Sequence, residues 1–335
     1  MIRRYATPLA FKQALEQRLK SSSTNGVDFA RRRQLLVFDR FLARVVAVVG
    51  DTVTLKGGLV LEIRLARART TKDVDLRMMG SSDDILDRLQ ASGRLDLGDY
   101  MLFEVQPDSD HPEIRNDGMR YEGYRYRAEC RLAGAVYGRP FGVDVAFGDP
   151  LIGEPDRVVA RDILSFAGIA PPTLRLYPVV SHIAEKLHAL TMPRSRPSSR
   201  VRDLPDIALL ATTGLIEGEE LRLALDRTFG FRGTHSLPAS VPAPPAFWAE
   251  PYAAMASSDE LTWASLVDLS KRLAPFYLPG NSHRIRKQQS TSLAQPVEPG
   301  RNEPVCRFTI GLTSDETSST VRLEKRLVAS SPATI

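Results

Sequence analysis

Two aspartates two positions apart, Asp73 and Asp75, are the residues of this chain whose spacing most directly suggests chemistry. In a β-strand the side chains at i and i+2 leave the same face, so both carboxylates would lie side by side while Val74 points into the core. Neighbouring carboxylates repel each other, and a divalent cation between them removes that repulsion. The pair indicates a metal site, although an isolated Asp-x-Asp is more often a solvated edge or loop.

A pair of glycines precedes these aspartates and lies between a predicted strand and a predicted helix. Residues 53–55 are β-branched or apolar, as in a strand, and residues 59–65 are patterned as a short helix. Gly57 and Gly58 lie between them, where backbone without side chains lets amide N–H groups approach a phosphate. A lone Gly-Gly is usually a plain turn. Followed by paired acids on the next strand, it indicates the minimal site for phosphoryl or nucleotidyl transfer.

A third aspartate lies in a later apolar stretch. Val143, Val145 and Phe147 alternate as one face of a strand, which leaves Asp144 on the other face. Burying an unpaired carboxylate is energetically costly. Asp144 is therefore expected either to reach solvent at a sheet edge or to join other charges around a cation.

Three further stretches carry charged residues whose purpose the pattern leaves open. Residues 121–130 are expected to form a strand with aromatic and arginine side chains on one face; it could stack on bases, but we expect packing under a helix. Residues 181–190 form a predicted helix in which Lys186 borders the apolar stripe, a position from which lysine usually reaches water. Asp203 suits a helix N-cap, with Asp206 three residues later as in a capping box.

In their order along the chain, these stretches resemble a known family. Residues 56–58 (Lys-Gly-Gly) and 69–76 (Arg-Thr-Thr-Lys-Asp-Val-Asp-Leu) are similar to the first motif of the AbiEii-type nucleotidyltransferase-like toxins, of the DNA polymerase β-like nucleotidyltransferase superfamily. Its later motifs are matched by residues 143–145, 184–190 and 202–206. The resemblance implies an α+β fold, in which a nucleotidyltransferase-like N-terminal domain with a mixed β-sheet flanked by helices is followed by a helical C-terminal domain.

The resemblance also implies roles for the acidic residues. Asp73 and Asp75 would bind Mg²⁺, expected as two ions, and Asp144 would be the third metal ligand. Asp203 would help to position the acceptor hydroxyl or the donor. Asp206 is assigned a mainly structural role.

The donor substrate implied by the resemblance is an NTP, and its triphosphate needs positive charge and free amides. Lys56, Gly57 and Gly58 would hold the triphosphate. Arg69 and Lys186 would add positive charge beside it, as positioned cations do in phosphoryl transfer.

The reaction implied is attack of an acceptor hydroxyl on the α-phosphate, with pyrophosphate leaving. Family resemblance implies a toxin of a type IV toxin–antitoxin or phage-defence system, a cognate antitoxin as partner, and the 3′ end of tRNA as acceptor. Two other classes stay open. A small-molecule nucleotidyltransferase of the antibiotic-inactivating kind would use the same acids, and a non-catalytic module would bind nucleotide or a partner without chemistry.

Composition bounds the remaining possibilities. The 335 residues are 43% hydrophobic and 25% charged, as in ordinary globular proteins. No apolar run approaches a membrane span, and two distant cysteines suggest no disulfide framework, so a cytoplasmic protein without a membrane partner is expected. The net charge of +5 is weak support for nucleic-acid binding, because residues 281–335 hold eight basic against five acidic residues.

Taken with the family resemblance, the order of patterned and unpatterned stretches predicts four regions. We expect an N-terminal helical extension over residues 1–30, a nucleotidyltransferase catalytic domain over 31–170 and a helical C-terminal domain over 171–280 that contributes Lys186 and Asp203. Residues 281–335 are rich in Ser, Thr, Gln, Arg and Pro and are expected to be a disordered tail.

Overall fold

The predicted strands assemble into one mixed β-sheet in a computed structural model of the chain. The structure describes residues 4–65, 71–114, 123–148, 150–194, 200–214, 216–238 and 243–273. Within these ranges the strands are β1 (Val53–Lys56), β2 (Val74–Met78), β3 (Met101–Pro107), β4 (Gly123–Leu132), β5 (Ala135–Val136), β6 (Phe141–Phe147), β7 (Asp156–Val159) and β8 (Thr173–Leu176).

Helices precede, interrupt and follow this sheet. They are α1 (Pro8–Ser21), α2 (Gly26–Val49), α3 (Gly57–Arg64), α4 (Ile85–Arg94), α5 (Val179–Thr191), α6 (Asp203–Leu210), α7 (Gly218–Arg232), α8 (Ala249–Ser258) and α9 (Leu266–Leu273). The prediction of an α+β fold with a mixed sheet and flanking helices is thereby confirmed. In the described part of the chain no helix is both long and apolar enough to cross a membrane.

The sheet has the strand order β3-β4-β6-β2-β1-β8-β7, with β5 paired to β4. At its centre β2 runs parallel to β6 and antiparallel to β1, and β6 is antiparallel to β4. The acid-bearing strands β2 and β6 are therefore direct neighbours, as the third-carboxylate prediction requires. Neighbouring strands lie about 4.8 Å apart, which sets the spacing of charges across the sheet.

One face of the sheet is apolar, and the opposite face carries the charges. The alternation of β2 buries Val74, Leu76 and Met78, and these side chains join a core with residues of α1, α2 and α4. Asp75 and Arg77 leave β2 on the other side, because successive side chains alternate. The period-two pattern thus decides which residues are left available for a site.

The strand predicted over residues 121–130 corresponds to β4, but its aromatic and arginine residues do not share a face. Tyr126 is buried in the core and Tyr124 packs against that core, as expected for packing under helices. Arg125 and Arg127 occupy alternate positions and face the charged side. Placing them with the tyrosines was wrong, because tyrosines at even positions and arginines at odd positions must separate.

A second apolar core lies among the C-terminal helices. Its buried residues come from α5 to α9 and include Ile183, Leu187 and Leu210. Leu61 of α3 also belongs to this second core, so the helix that follows the glycine pair packs against the helical region. All described residues belong to one compact unit. The predicted tail, residues 281–335, lies outside the described residues.

Candidate active site

Four charged residues form one row across the centre of the sheet, on the face opposite the core. Lys56 of β1 is paired in register with Asp75 of β2, which is paired with Asp144 of β6. Asp144 is in turn paired with Arg125 of β4. The row therefore reads cation, acid, acid, cation, with the two carboxylates on adjacent strands.

The glycine pair approaches this row from the end of β1. Gly57 begins α3 with a φ of 70°, a left-handed conformation that side chains rarely adopt. A Cβ atom there would overlap the carboxylate of Asp75, with Cγ only 2.5 Å away. Gly58 follows as a buried residue in the first turn of the helix. Amide groups at a helix start lack intrahelical partners, so this turn is suited to bind an anion next to Asp75.

Replacing Gly57 with alanine is therefore expected to lower the free energy of unfolding by roughly 2–4 kcal/mol, because it adds backbone strain and a clash. Nucleotidyl transfer should fall with it, since Asp75 must move. Thermal unfolding and activity measured on the same preparation test this. The matched control is Gly230→Ala in α7, where no atom lies within 4 Å of the added Cβ. Equal stability changes in the two variants would contradict the close approach.

Asp75 is the electrostatic centre of the site. Burial, and then the charges of Asp144 and Asp73, raise the pKa of this carboxyl to about 6, although Lys56 and Lys186 act in the opposite direction. Repulsion among carboxylates is what a bound cation relieves. The residues predicted from distant parts of the sequence are therefore close enough to influence one carboxyl group.

The three predicted metal ligands are close, but they differ in how available they are. Asp73 is exposed, and its Oδ1 accepts a hydrogen bond from the amide of Gly142 at 3.3 Å. Both oxygens of Asp144 accept hydrogen bonds from Arg125, each at 2.8 Å. No group of three or more His, Cys, Asp or Glu side chains among the described residues is arranged to hold a metal ion. The carboxylates of Asp73 and Asp75 fit an oxygen-coordinated cation, whereas the charge of Asp144 is already compensated by its contact with Arg125.

Lys186 enters the site from α5 and is held by two aspartates of α6. Its Nζ lies 3.2 Å from Oδ1 of Asp203 and 2.7 Å from Oδ2 of Asp206. The side chain of Asp206 is completely buried beside this lysine, and its mainly structural role stays a prediction. The N-cap prediction for Asp203 was wrong, because Arg202 occupies that position without a side-chain cap bond. Both carboxylates instead turn toward the partly buried ammonium group of Lys186.

A second polar cluster joins the sheet to the helical region. Oε2 of Glu185 lies 3.0 Å from Nζ of Lys56, and the hydroxyl of Tyr177 donates a hydrogen bond to Oε1 of Glu185 at 2.7 Å. Arg232 of α7 lies 3.6 Å from the same carboxylate. Lys56, beside the glycine pair, is thus oriented by Glu185, whose carboxylate is also contacted by Tyr177 and Arg232.

Sequence reasoning missed Arg125 and Glu185 as members of the site. The signal for Arg125 was its alternation with the core residues of β4, but cross-strand partners are not visible in a single sequence. Glu185 lies directly before Lys186 in the matched helix motif. Arg69, predicted to face the triphosphate, lies outside the described residues.

Comparison with known proteins identifies the chain. The family model described as "Nucleotidyl transferase AbiEii toxin, Type IV TA system" matches residues 40–274. The chain belongs to the AbiEii family. This range includes every residue of the candidate site. As an AbiEii protein, the chain is a nucleotidyltransferase toxin of a type IV toxin–antitoxin system, and an antitoxin is its implied partner.

Solved structures similar to this AbiEii protein share low sequence identity with it. JHP933 from Helicobacter pylori is 15% identical with a TM-score of 0.43, covering 72% of this chain and 90% of its own. MenT4, a nucleotidyltransferase toxin from Mycobacterium tuberculosis H37Rv, is 18% identical with a TM-score of 0.45, covering 82% and 100%. No curated protein matches the sequence.

Proposed function

We propose that this AbiEii protein transfers an NMP group from an NTP to the 3′-terminal hydroxyl of tRNA in a magnesium-dependent reaction. The observation that carries the proposal is the row Lys56–Asp75–Asp144–Arg125 with Gly57 packed against Asp75. It combines carboxylates that repel one another with a helix start that lacks side chains. These are the two features that a metal-bound triphosphate needs.

The acids are proposed to bind the metal. Asp73 and Asp75 would be ligands directly, and Asp144 would join them once its salt bridge to Arg125 opens. Magnesium, when bound, would neutralise charge on the phosphate oxygens and orient the α-phosphate for attack. Because metal binding requires ionised carboxylates, it would also lower the raised pKa of Asp75.

The cationic and glycine residues are proposed to bind the donor. Amide groups of Gly57 and Gly58 would donate hydrogen bonds to the triphosphate, with Lys56 and Lys186 supplying positive charge. Arg69 is assigned the same task from its place in the matched motif.

Asp203 is proposed to act through position rather than through proton transfer. It helps to hold Lys186, and one of its oxygens, Oδ2, has no hydrogen-bond partner among the described residues. That oxygen is buried in the structure and lies 3.7 Å from Nη1 of Arg200. In the substrate complex it would accept a hydrogen bond from a hydroxyl of the acceptor or of the donor ribose.

The reaction is balanced without any further reactant. The acceptor hydroxyl oxygen forms a bond to the α-phosphorus, and the bond from that phosphorus to the oxygen bridging to the β-phosphate breaks. Pyrophosphate leaves, and the hydroxyl proton is released. A tRNA acceptor places this activity in the cytoplasm and explains toxicity, because a blocked acceptor end cannot carry an amino acid.

Incubation of the purified protein with Mg²⁺ and each labelled NTP, with either total RNA or aminoglycosides, tests the proposal. Mass analysis should show NMP added to RNA 3′ ends, lost when magnesium is chelated. Label on an aminoglycoside but not on RNA would favour a small-molecule acceptor. Growth arrest on expression, abolished by Asp75→Ala, would link the same site to toxicity.

A further inference from the structure

We propose that Arg125 and Arg127 of β4 bind backbone phosphates of the acceptor RNA, next to its attacking 3′ hydroxyl. This inference rests on the proposed function, since it names the protein surface that receives the acceptor. It concerns residues that no motif of the sequence singled out as site residues.

The alternation of β4 puts these arginines on the catalytic face. Tyr126 and Ala128 are buried in the apolar core under the sheet. Arg125 and Arg127 therefore project to the opposite side, about 7 Å apart along the strand. The bidentate contact of Arg125 with Asp144 confirms that this is the side of the catalytic acids.

Arg125 and Arg127 lie on the β4 side of the acids, which is the side from which the acceptor is proposed to approach. Lys56 and Gly57 lie on the β1 side of Asp75, where the triphosphate is proposed to bind, and Arg125 lies on the far side of Asp144. In nucleotidyl transfer the attacking and leaving oxygens are roughly in line through the phosphorus. If pyrophosphate leaves toward β1, the hydroxyl approaches from the direction of β4.

Arg127 is available for such a contact. Its side chain is exposed and forms no hydrogen bond or ion pair with any residue that the structure describes. Its neighbour on β6 is Gly142, which has no side chain to block the way to Asp73. A Cβ at Gly142 would lie 2.8 Å from Oδ1 of Asp73. The absence of a side chain at this position therefore leaves space between Arg127 and Asp73.

Charge farther along the strand is neutralised, which confines the positive surface to the active-site end. Arg131 lies 2.7 Å from Glu104 and 2.9 Å from Glu129, in a compact surface group of opposite charges. Arg125 is itself paired with Asp144 and lies near Asp108. With respect to the described residues, Arg127 is thus the unpaired cation of the charged β4 face, and Arg125 would become a second one if Asp144 bound a metal.

The test is binding of a short fluorescein-labelled single-stranded RNA to the full chain, measured by anisotropy over a range of salt concentrations. Arg127→Gln should weaken binding about tenfold at low salt and reduce the slope of log K against log salt by about 0.7, as expected for one lost phosphate contact. Arg127→Glu should weaken it further. The matched control is Arg161→Gln, an exposed arginine just after β7 at the opposite edge of the sheet.

Two results would overturn the inference: wild-type protein that does not bind the RNA at low salt, or an Arg127→Gln variant that binds as the Arg161→Gln control does. Failure of the proposed function has a different signature. In that case RNA binding keeps its dependence on Arg127, but no NMP is added to RNA with any NTP. Circular dichroism of each variant confirms folding, which an exposed substitution should not change.

Discussion

Asp75→Asn is expected to abolish nucleotidyl transfer and, at neutral pH without metal, to make the folded protein more stable. The loss of activity should be at least about a thousandfold, because this carboxylate is the proposed ligand closest to both the glycine turn and the other acids. Asparagine keeps the shape of the side chain beside Gly57. The loss of function would therefore arise from the missing charge and not from altered packing.

The gain in stability follows from the sign of the pKa shift. The pKa of Asp75 rises from 3.8 to about 6 on folding, chiefly through burial. Between these values the folded state binds a proton that the unfolded state has released, so wild-type stability falls as the pH rises through this window. A pKa shift of about two units lowers the free energy of unfolding by about 3 kcal/mol, and that destabilisation persists above pH 6.

Urea unfolding of both proteins at several pH values, with chelator present, measures this difference. The Asn variant should match the wild type below about pH 4 and exceed it by on the order of 2–3 kcal/mol at pH 7. Asp162→Asn, a substitution of an exposed aspartate, is the control and should change neither quantity. An Asp75→Asn variant that retains a tenth of the activity, or gains no stability at pH 7, would contradict the assignment.

Lys186→Met is expected to be destabilising as well as inactive. Lys186 is the shared partner of Asp203 and Asp206, and removing it takes the nearest cation from two buried carboxylates, although Arg200 still lies 3.7 Å from Oδ2 of Asp203. Breaking a buried ion pair on one side destabilises a protein by about 3–5 kcal/mol. Chemical denaturation should detect a loss of this size, and single-turnover kinetics should show loss of the chemical step.

A double variant separates the two roles of this lysine. Adding Asp206→Asn to Lys186→Met removes one of the stranded charges, so about half of the lost stability should return. Activity should stay absent, because the positive charge proposed to face the triphosphate is still missing. Recovery of activity together with stability would mean that Lys186 only supports the fold.

Some residues of the site could be recognised within one short stretch of sequence, and others could not. Asp73, Asp75 and the glycine pair were recognisable because each motif lies within one element and its neighbouring turn. Asp144 was recognisable because a carboxylate in an apolar strand is costly to bury unless it has a partner. Its partner Arg125 was not, since strand pairing in register has no local signature. The arginines of β4 were assigned to the wrong face for a different reason, because Arg125 and Arg127 alternate with Tyr124 and Tyr126 within one strand and cannot share their face.

The contacts of the lysines illustrate the same limit over longer distances. Lys56 and Glu185 are 129 residues apart, yet they meet at 3.0 Å. Asp203 and Asp206 have the spacing of a capping box, and in isolation that is the better interpretation. The partly buried position of Lys186 next to α6 changed the outcome, because pairing its ammonium group with two carboxylates outweighs an unfilled helix cap.

By itself the sequence determined the order of the motifs and the alternation of buried and outward-facing residues along β2 and β6, and through the family resemblance it indicated the α+β class. The first two depend on residue type and periodicity, which are properties of short stretches. Only the tertiary structure decided that Asp144 is held by Arg125, that Lys56 is oriented by Glu185, and that the side chain of Arg127 has no ion-pair partner among the described residues. Such pairings depend on strand register and on packing between segments that are distant in the sequence. No short stretch of sequence specifies them.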